Sequence, residues 1–114
     1  MRILIVGAGI VGTNRAQELS QEGHDIAIID EDPEKIRRIS DTLDVMSVRG
    51  NACLPSVLMK AGIRNMEMVI AVTNKDEINM MVCFLASKFK IQKRFARLRS
   101  MEFTGPGQVF PSEE

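Results

Sequence analysis

Aromatic residues are scarce in this chain: it has no tryptophan, no tyrosine and five phenylalanines. Few rings are available to stack bases, which argues against a platform for single-stranded nucleic acid. An excess of charge is missing too, since 15 Lys+Arg face 15 Asp+Glu and the formal net charge is zero. That balance gives no electrostatic pull toward nucleic acid or an anionic lipid surface. Long apolar runs are absent as well. Stretches such as 3–6 and 69–72 fall far short of the roughly 18–20 residues a spanning helix needs, so no direct membrane insertion is expected.

The two cysteines, Cys53 and Cys83, lack C-x-x-C spacing and read as reduced, partly buried thiols rather than a disulfide or metal pair. The single histidine, His24, stands beside Gly23 with no carboxylate or nucleophile placed to work with it, and reads as a surface turn residue. The first strand starts almost at Met1, which predicts no signal or transit peptide. What remains is 114 residues, 45% hydrophobic and 26% charged, enough for one domain with a sizeable core.

The order of elements follows from periodicity and punctuation. Residues 2–6 (RILIV) form a short apolar strand broken by Gly7, and 12–23 form a helix ended by Gly23. Residues 25–30 (DIAIID) form a second strand. Asp32 and Pro33 then supply an N-cap and a first-turn proline. The helix they open carries Ile36, Ile39 and Leu43 at helical spacing, with Lys35, Arg37 and Arg38 on its solvent side. A third strand is expected at 45–48, and Pro55 opens a short helix stopped by Gly62. Residues 68–73 (MVIAVT) read as a buried parallel strand. The longest helix covers 74–89, with Asp76 and Glu77 in its first turn and Ile78, Met81, Val82, Leu85 and Phe89 as its buried stripe. A fifth strand is expected at 94–100.

Strand and helix alternate with crossovers that suit only parallel neighbours. The pattern predicts an α/β fold in three layers, a Rossmann-like, doubly wound parallel sheet of about five strands. The domain is read as 1–100. The tail 101–114 ends without an element and reads as the start of a region cut from a longer protein, with a sixth strand expected beyond it.

Gly7-x-Gly9-x-x-Gly12 lies directly between the first strand and the first helix, the context in which this pattern carries meaning. Gly7 suits a tight turn, Gly9 lets backbone approach a pyrophosphate, and Gly12 lets the helix approach the strand. Free N–H groups from Ile10 to Thr13 and the positive helix end would hold phosphates. Asp30, at the end of the second strand, can accept hydrogen bonds from both ribose hydroxyls and repels a 2′-phosphate, which favours NAD over its phosphorylated form. Thr73 and Asn74 stand at the carboxyl end of the fourth strand, where either could cap the next helix or touch a cofactor. Arg97 and Arg99 share one face of the fifth strand, so Arg97 could meet a phosphate or equally form a surface ion pair.

The segments MRILIVGAGIVG, GHDIAIIDEDPE, VRGNA, AGI, VIAVTNKDEINM and FARLRS fall in the order and spacing of one family. Over nearly its whole length the chain resembles the N-terminal domain of the RCK (regulator of potassium conductance) family, in its Trk-type form. The resemblance implies a regulatory subunit that binds NAD(H), in some members ATP or ADP, and forms a homo-oligomeric ring beneath an integral-membrane potassium transporter. It implies a cytoplasmic location at the inner face of the cell membrane. The backbone of Gly7, Ala8, Gly9, Ile10 and Val11 would hold the pyrophosphate and Asp30 the adenosine ribose. Asn51 and Ala52 would lie by the adenine, Thr73 and Asn74 by the nicotinamide-side half, and Arg97 at the phosphates. Two positions depart from the family pattern: Asn51 replaces the usual acid, and Leu54 replaces a capping polar residue before Pro55.

Two readings follow. In the first the chain is a ligand-sensing regulatory domain and not an enzyme, since the sequence offers no acid–base pair, no activated nucleophile and no metal cluster. In the second it is the cofactor domain of an NAD-dependent dehydrogenase whose catalytic domain lies elsewhere. A redox-sensing repressor would need a DNA-binding helix pair, which the sequence does not contain.

Overall fold

The computed structural model describes residues 1–104. Five strands, β1 (Arg2–Val6), β2 (Asp25–Asp30), β3 (Met46–Arg49), β4 (Met68–Ala71) and β5 (Lys93–Ala96), form one sheet in the order β3-β2-β1-β4-β5. Every neighbouring pair is parallel. Between them run α1 (Ile10–Gln21), α2 (Pro33–Thr42), α3 (Pro55–Lys60) and α4 (Asp76–Lys88), with α5 (Met101–Thr104) after the last strand.

The central strands β1, β2 and β4 are apolar on both faces because helices cover both. On one face Leu4 lies in register between Ala27 and Val69, and these pack with Leu58 of α3 and with Val82 and Ala86 of α4. On the other, Ile3, Ile5, Ile26 and Ile28 pack with Ala16 of α1 and Ile39 of α2. Each fully buried Ile or Leu contributes roughly 1.5–3 kcal/mol by leaving water. The expected three-layer, doubly wound architecture is therefore present. Its chain runs β1 to β2 to β3, then crosses back to place β4 beside β1. The carboxyl ends of β1 and β4 thus flank the switch point where open α/β sheets bind ligands.

Several boundaries differ from the sequence expectations, each for a local reason. Helix α1 starts at Ile10 instead of Gly12, because Gly9 is its N-cap and Thr13 N donates to Gly9 O at 2.9 Å. Strand β3 lies one residue later, at Met46–Arg49. Strand β4 stops at Ala71 and α4 starts at Asp76, because Thr73 Oγ1 accepts from Lys75 N at 3.2 Å and turns the chain. Strand β5 ends at Ala96: Arg97 N still donates to Ala71 O, but the N–H groups of Arg99 and Ser100 go to the Asp76 carboxylate. Helix α2 ends at Thr42, so Leu43 caps it and packs from outside.

In α4 the buried seam is Asn79, Val82 and Ala86. Met81 is 45% exposed, contrary to expectation, because at about 100° per residue it lies on the far side of the helix from Asn79. A 3₁₀ turn at Ile63–Asn65, which no sequence signal marks, follows Gly62. The tail is not wholly without an element either: Ser100 Oγ accepts from Glu102 N at 3.1 Å and opens the single turn of α5. The rest of the 101–114 tail and the expected sixth strand lie outside the described residues. Other expectations hold. Asp32 caps α2 by accepting from Glu34 N, Pro55 opens α3, and Gly62 follows it with φ +87°. Cys53 and Cys83 are free thiols.

Candidate functional site

A cleft of about 630 Å³ opens at the carboxyl ends of the strands, within the roughly 300–1,000 Å³ typical of cofactor pockets. Its first wall is the turn between β1 and α1. Gly7 has φ +111°, and a Cβ there would stand 2.9 Å from the backbone of Val72 and Thr73. A Cβ on Gly12 would stand 1.7 Å from Gly7 O, so helix and turn can meet only if that side chain is missing. Around Gly9 no atom lies within 4 Å of the equivalent position, and the residue faces open cleft. Gly9 caps α1 without a side chain and the first turn of α1 holds no acid, whereas α2 has its Asp32 cap and α4 has Asp76 and Glu77. The positive end of α1 is left without an anionic neighbour of its own.

The second wall is the end of β2. Asp30 accepts from Ala8 N at 2.7 Å through Oδ2 and from Asp32 N at 2.9 Å through Oδ1. One carboxylate therefore braces both the glycine turn and the entry to α2. Each oxygen retains a second acceptor site for a ligand hydroxyl. Beside it, Gly50, whose N–H donates to Asp30 O at 3.0 Å, and then Asn51 and Ala52 line the cleft after β3. Asn51 Oδ1 accepts from Cys53 N at 2.9 Å, which shapes this turn and leaves the Asn51 amide group as the donor.

The third wall joins the ends of β4 and β5. Thr73, Asn74, Lys75, Arg97 and Arg99 line it. Asn74 is not the cap of α4; Lys75 occupies that position with no side-chain bond. Beneath the wall, Asn79 accepts from Thr73 N (2.9 Å) and Thr73 Oγ1 (2.7 Å) and donates to Thr73 O (3.1 Å) and Arg97 O (2.7 Å). Arg97 Nη2 reaches Thr73 O at 3.3 Å, while Arg97 Nε is buried with no hydrogen-bond partner. A buried donor without an acceptor is costly and is a feature to be explained.

Of the twelve residues expected at the site, Gly7, Gly9, Ile10, Val11, Asp30, Asn51, Ala52, Thr73, Asn74 and Arg97 line this one cleft. Ala8 and Gly12 do not: both are buried behind the turn, Ala8 donating to Asp30 and Gly12 against Gly7 O. The structure adds Glu31, Lys35, Lys75 and Arg99 to the lining. The periodicity of α2 predicts a solvent-facing Lys35. Its place in the first turn is the better signal, because helix amino ends surround the carboxyl ends of parallel strands.

Asp76, Cys53 and Cys83 are shifted from their ordinary titration ranges. N–H groups of Arg99 and Ser100 hold the Asp76 carboxyl below the usual range. Burial, and then Glu31, raise the Cys53 thiol, and burial pushes Cys83 up to about 11, so both stay protonated near neutral pH. His24 is half-buried in the α1–β2 turn, its Nε2 3.8 Å from a Glu22 carboxylate oxygen and remote from the cleft lining. Among the described residues no cluster of three or more His, Cys, Asp or Glu could hold a metal, and no helix is long and apolar enough to cross a membrane.

The family model described as the TrkA-N domain matches residues 3–105. Two proteins named Trk system potassium uptake protein TrkA are similar to the chain. That of Halomonas elongata is 38% identical over 99% of this chain and 25% of its own length. That of Vibrio alginolyticus is 42% identical over 90% of this chain and 23% of its own length. The chain thus spans about a quarter of these relatives. Among solved structures, the Kef CTD of Shewanella denitrificans in AMP-bound form superposes with TM-score 0.71 at 21% identity, covering 83% of this chain and 57% of that one. At that identity the likeness is one of fold.

Proposed function

The chain belongs to the TrkA-N domain family, and from that membership we propose that it is the nucleotide-sensing domain of a Trk-type potassium uptake system. NAD(H) is the ligand, with ATP and ADP as competitors for the same cleft. The observation that carries this reading is the division of the cleft: the Asp30 carboxylate at one end, the Arg97 side chain at the other, and the α1 turn, which has no side-chain cap, between them. A dinucleotide has matching groups in that order. Its ribose hydroxyls donate to Asp30, and its pyrophosphate accepts from the N–H groups between Gly7 and Val11 and from Arg97. Asn51 and Ala52 flank the adenine, and Thr73 and Asn74 flank the second half. A 2′-phosphate would be brought against Asp30 and Glu31 and is disfavoured.

The reading assigns no chemical step to these residues. Bound NAD(H) acts through its different affinity for two conformations of a homo-oligomeric assembly, the only way a ligand can bias an equilibrium. The partner in this reading is an integral-membrane potassium transporter subunit, and the domain works at the cytoplasmic face of the membrane. The names of the relatives support potassium uptake as the context. Calorimetric titration with NAD⁺, NADH, ATP, ADP and NADP⁺ tests the ligand class. Saturable binding of the first two, with NADP⁺ at least about tenfold weaker, is expected. No heat from any of the five, or NADP⁺ as the tightest, contradicts the reading.

A further inference from the structure

We propose that Asn79 is the positioning residue of this cleft, fixing Thr73 and Arg97 at one spacing across the junction of β4 and β5. The proposal rests on the nucleotide-binding reading above. Asn79 is fully buried, the single buried polar side chain among the described residues, and it does not line the cleft. A primary amide has two donor hydrogens and two acceptor sites. Asn79 uses all four, and all four go to Thr73 and Arg97.

Its place in α4 makes that allocation notable. The position belongs to the same buried seam as Val82 and Ala86, where an apolar side chain would pack without any polar group to satisfy. Both clients of Asn79 are cleft residues just beyond the ends of different strands, and of the two only Arg97 keeps a backbone bond to the neighbouring strand, through its N–H to Ala71 O. The bond to Arg97 O sets the backbone from which the guanidinium reaches back to Thr73 O at the wall of the cleft. One turn earlier in α4, Asp76 holds Arg99 N and Ser100 N at 2.9 and 2.7 Å, so the same helix end fixes the next stretch as well. A ligand that spans from Asp30 to Arg97 should therefore depend on Asn79. One confined to the Asp30 end should not.

The 114-residue chain and its Asn79→Ala variant are titrated with NAD⁺ and with AMP, beside an Ile39→Ala variant that destabilises the opposite core. In Asn79→Ala the NAD⁺ affinity should fall about tenfold or more while AMP stays within about twofold, and Ile39→Ala should keep the wild-type ratio. Equal losses for both nucleotides, or no loss for either, overturn the positioning role while leaving nucleotide binding intact. A wild-type chain that binds neither nucleotide overturns both readings. Where Asn79→Ala does not fold, the side-chain amide signals of Asn79 in wild-type NMR spectra decide. They should shift with NAD⁺ and hold still with AMP. Signals unmoved by NAD⁺ while Gly9 responds would overturn the proposal.

Discussion

Gly9 and Gly12 sit in the same turn yet answer to different constraints. A side chain at Gly12 collides with Gly7 O, while one at Gly9 meets nothing but cleft. Gly12→Ala should therefore cost about 3 kcal/mol in urea unfolding, at the upper end of overpacking penalties, because backbone must move. Gly9→Ala should leave stability within about 0.5 kcal/mol yet weaken NAD⁺, since its methyl group stands where phosphate backbone contacts are proposed. A Gly9→Ala chain that binds NAD⁺ as wild type would remove the turn from the site. The glycine spacing was legible in the sequence because only residues without a Cβ suit such a turn. The brace from Asp30 to Ala8 N was not, since a carboxylate at a strand end gives no sign of which backbone donor it will meet. Asn79 was hidden for a similar reason: in a helical pattern one polar residue in the buried stripe looks like an interruption, and its partners are 6 and 18 residues away in sequence.

At the scale of elements, α4 shows where periodicity runs out. Its apolar spacing placed the helix correctly, but its start and the end of β5 are set by side chains competing for backbone: Thr73 at one junction, Asp76 at the other. Strand ends governed by such competition carry no periodic signal. The Asp76 bonds also have a pH consequence. Its folded pKa is lowered, so its contribution is fully present above the unfolded value near 3.9 and is lost as pH falls through the folded one. Wild-type stability should therefore drop below about pH 4 by more than that of Asp76→Asn. Parallel pH profiles of the urea midpoint for the two chains would contradict this. At the other end of α4, Lys90 holds φ +67° just past the last turn, a conformation suited to glycine. Lys90→Gly should raise stability by about 0.5–1 kcal/mol. An unchanged or lowered midpoint in chemical denaturation would show that the Lys90 side chain stabilises the turn by other contacts.

For the whole molecule, the sheet order gathers the strand ends around one cleft. Alternation of strand and helix, punctuated by Gly7, Pro33, Pro55 and Gly62, made the doubly wound topology readable, and that topology alone fixes which strand ends surround the cleft. Ten of the twelve expected residues meet there: the glycine turn, Asp30, Thr73, Asn74 and Arg97 stand at or just past strand ends, while Asn51 and Ala52 follow from the family resemblance. The lining from Lys35 and Arg99 was less legible, since both looked like ordinary surface cations until the helix and strand ends were seen side by side. The central claim, that this cleft holds an adenine dinucleotide through Asp30, predicts linkage between ligand and fold. At a concentration of 100 times Kd, binding stabilises a domain by about 2.7 kcal/mol, a melting shift on the order of 10 °C for this size. Asp30→Ala should lower the unliganded midpoint, because Ala8 N and Asp32 N lose their acceptor. The decisive quantity is thus the increment on adding NAD⁺, measured by thermal melting of both chains. The account predicts a large increment for wild type and little or none for Asp30→Ala. An absent increment in wild type, or an equal one in both, would contradict it.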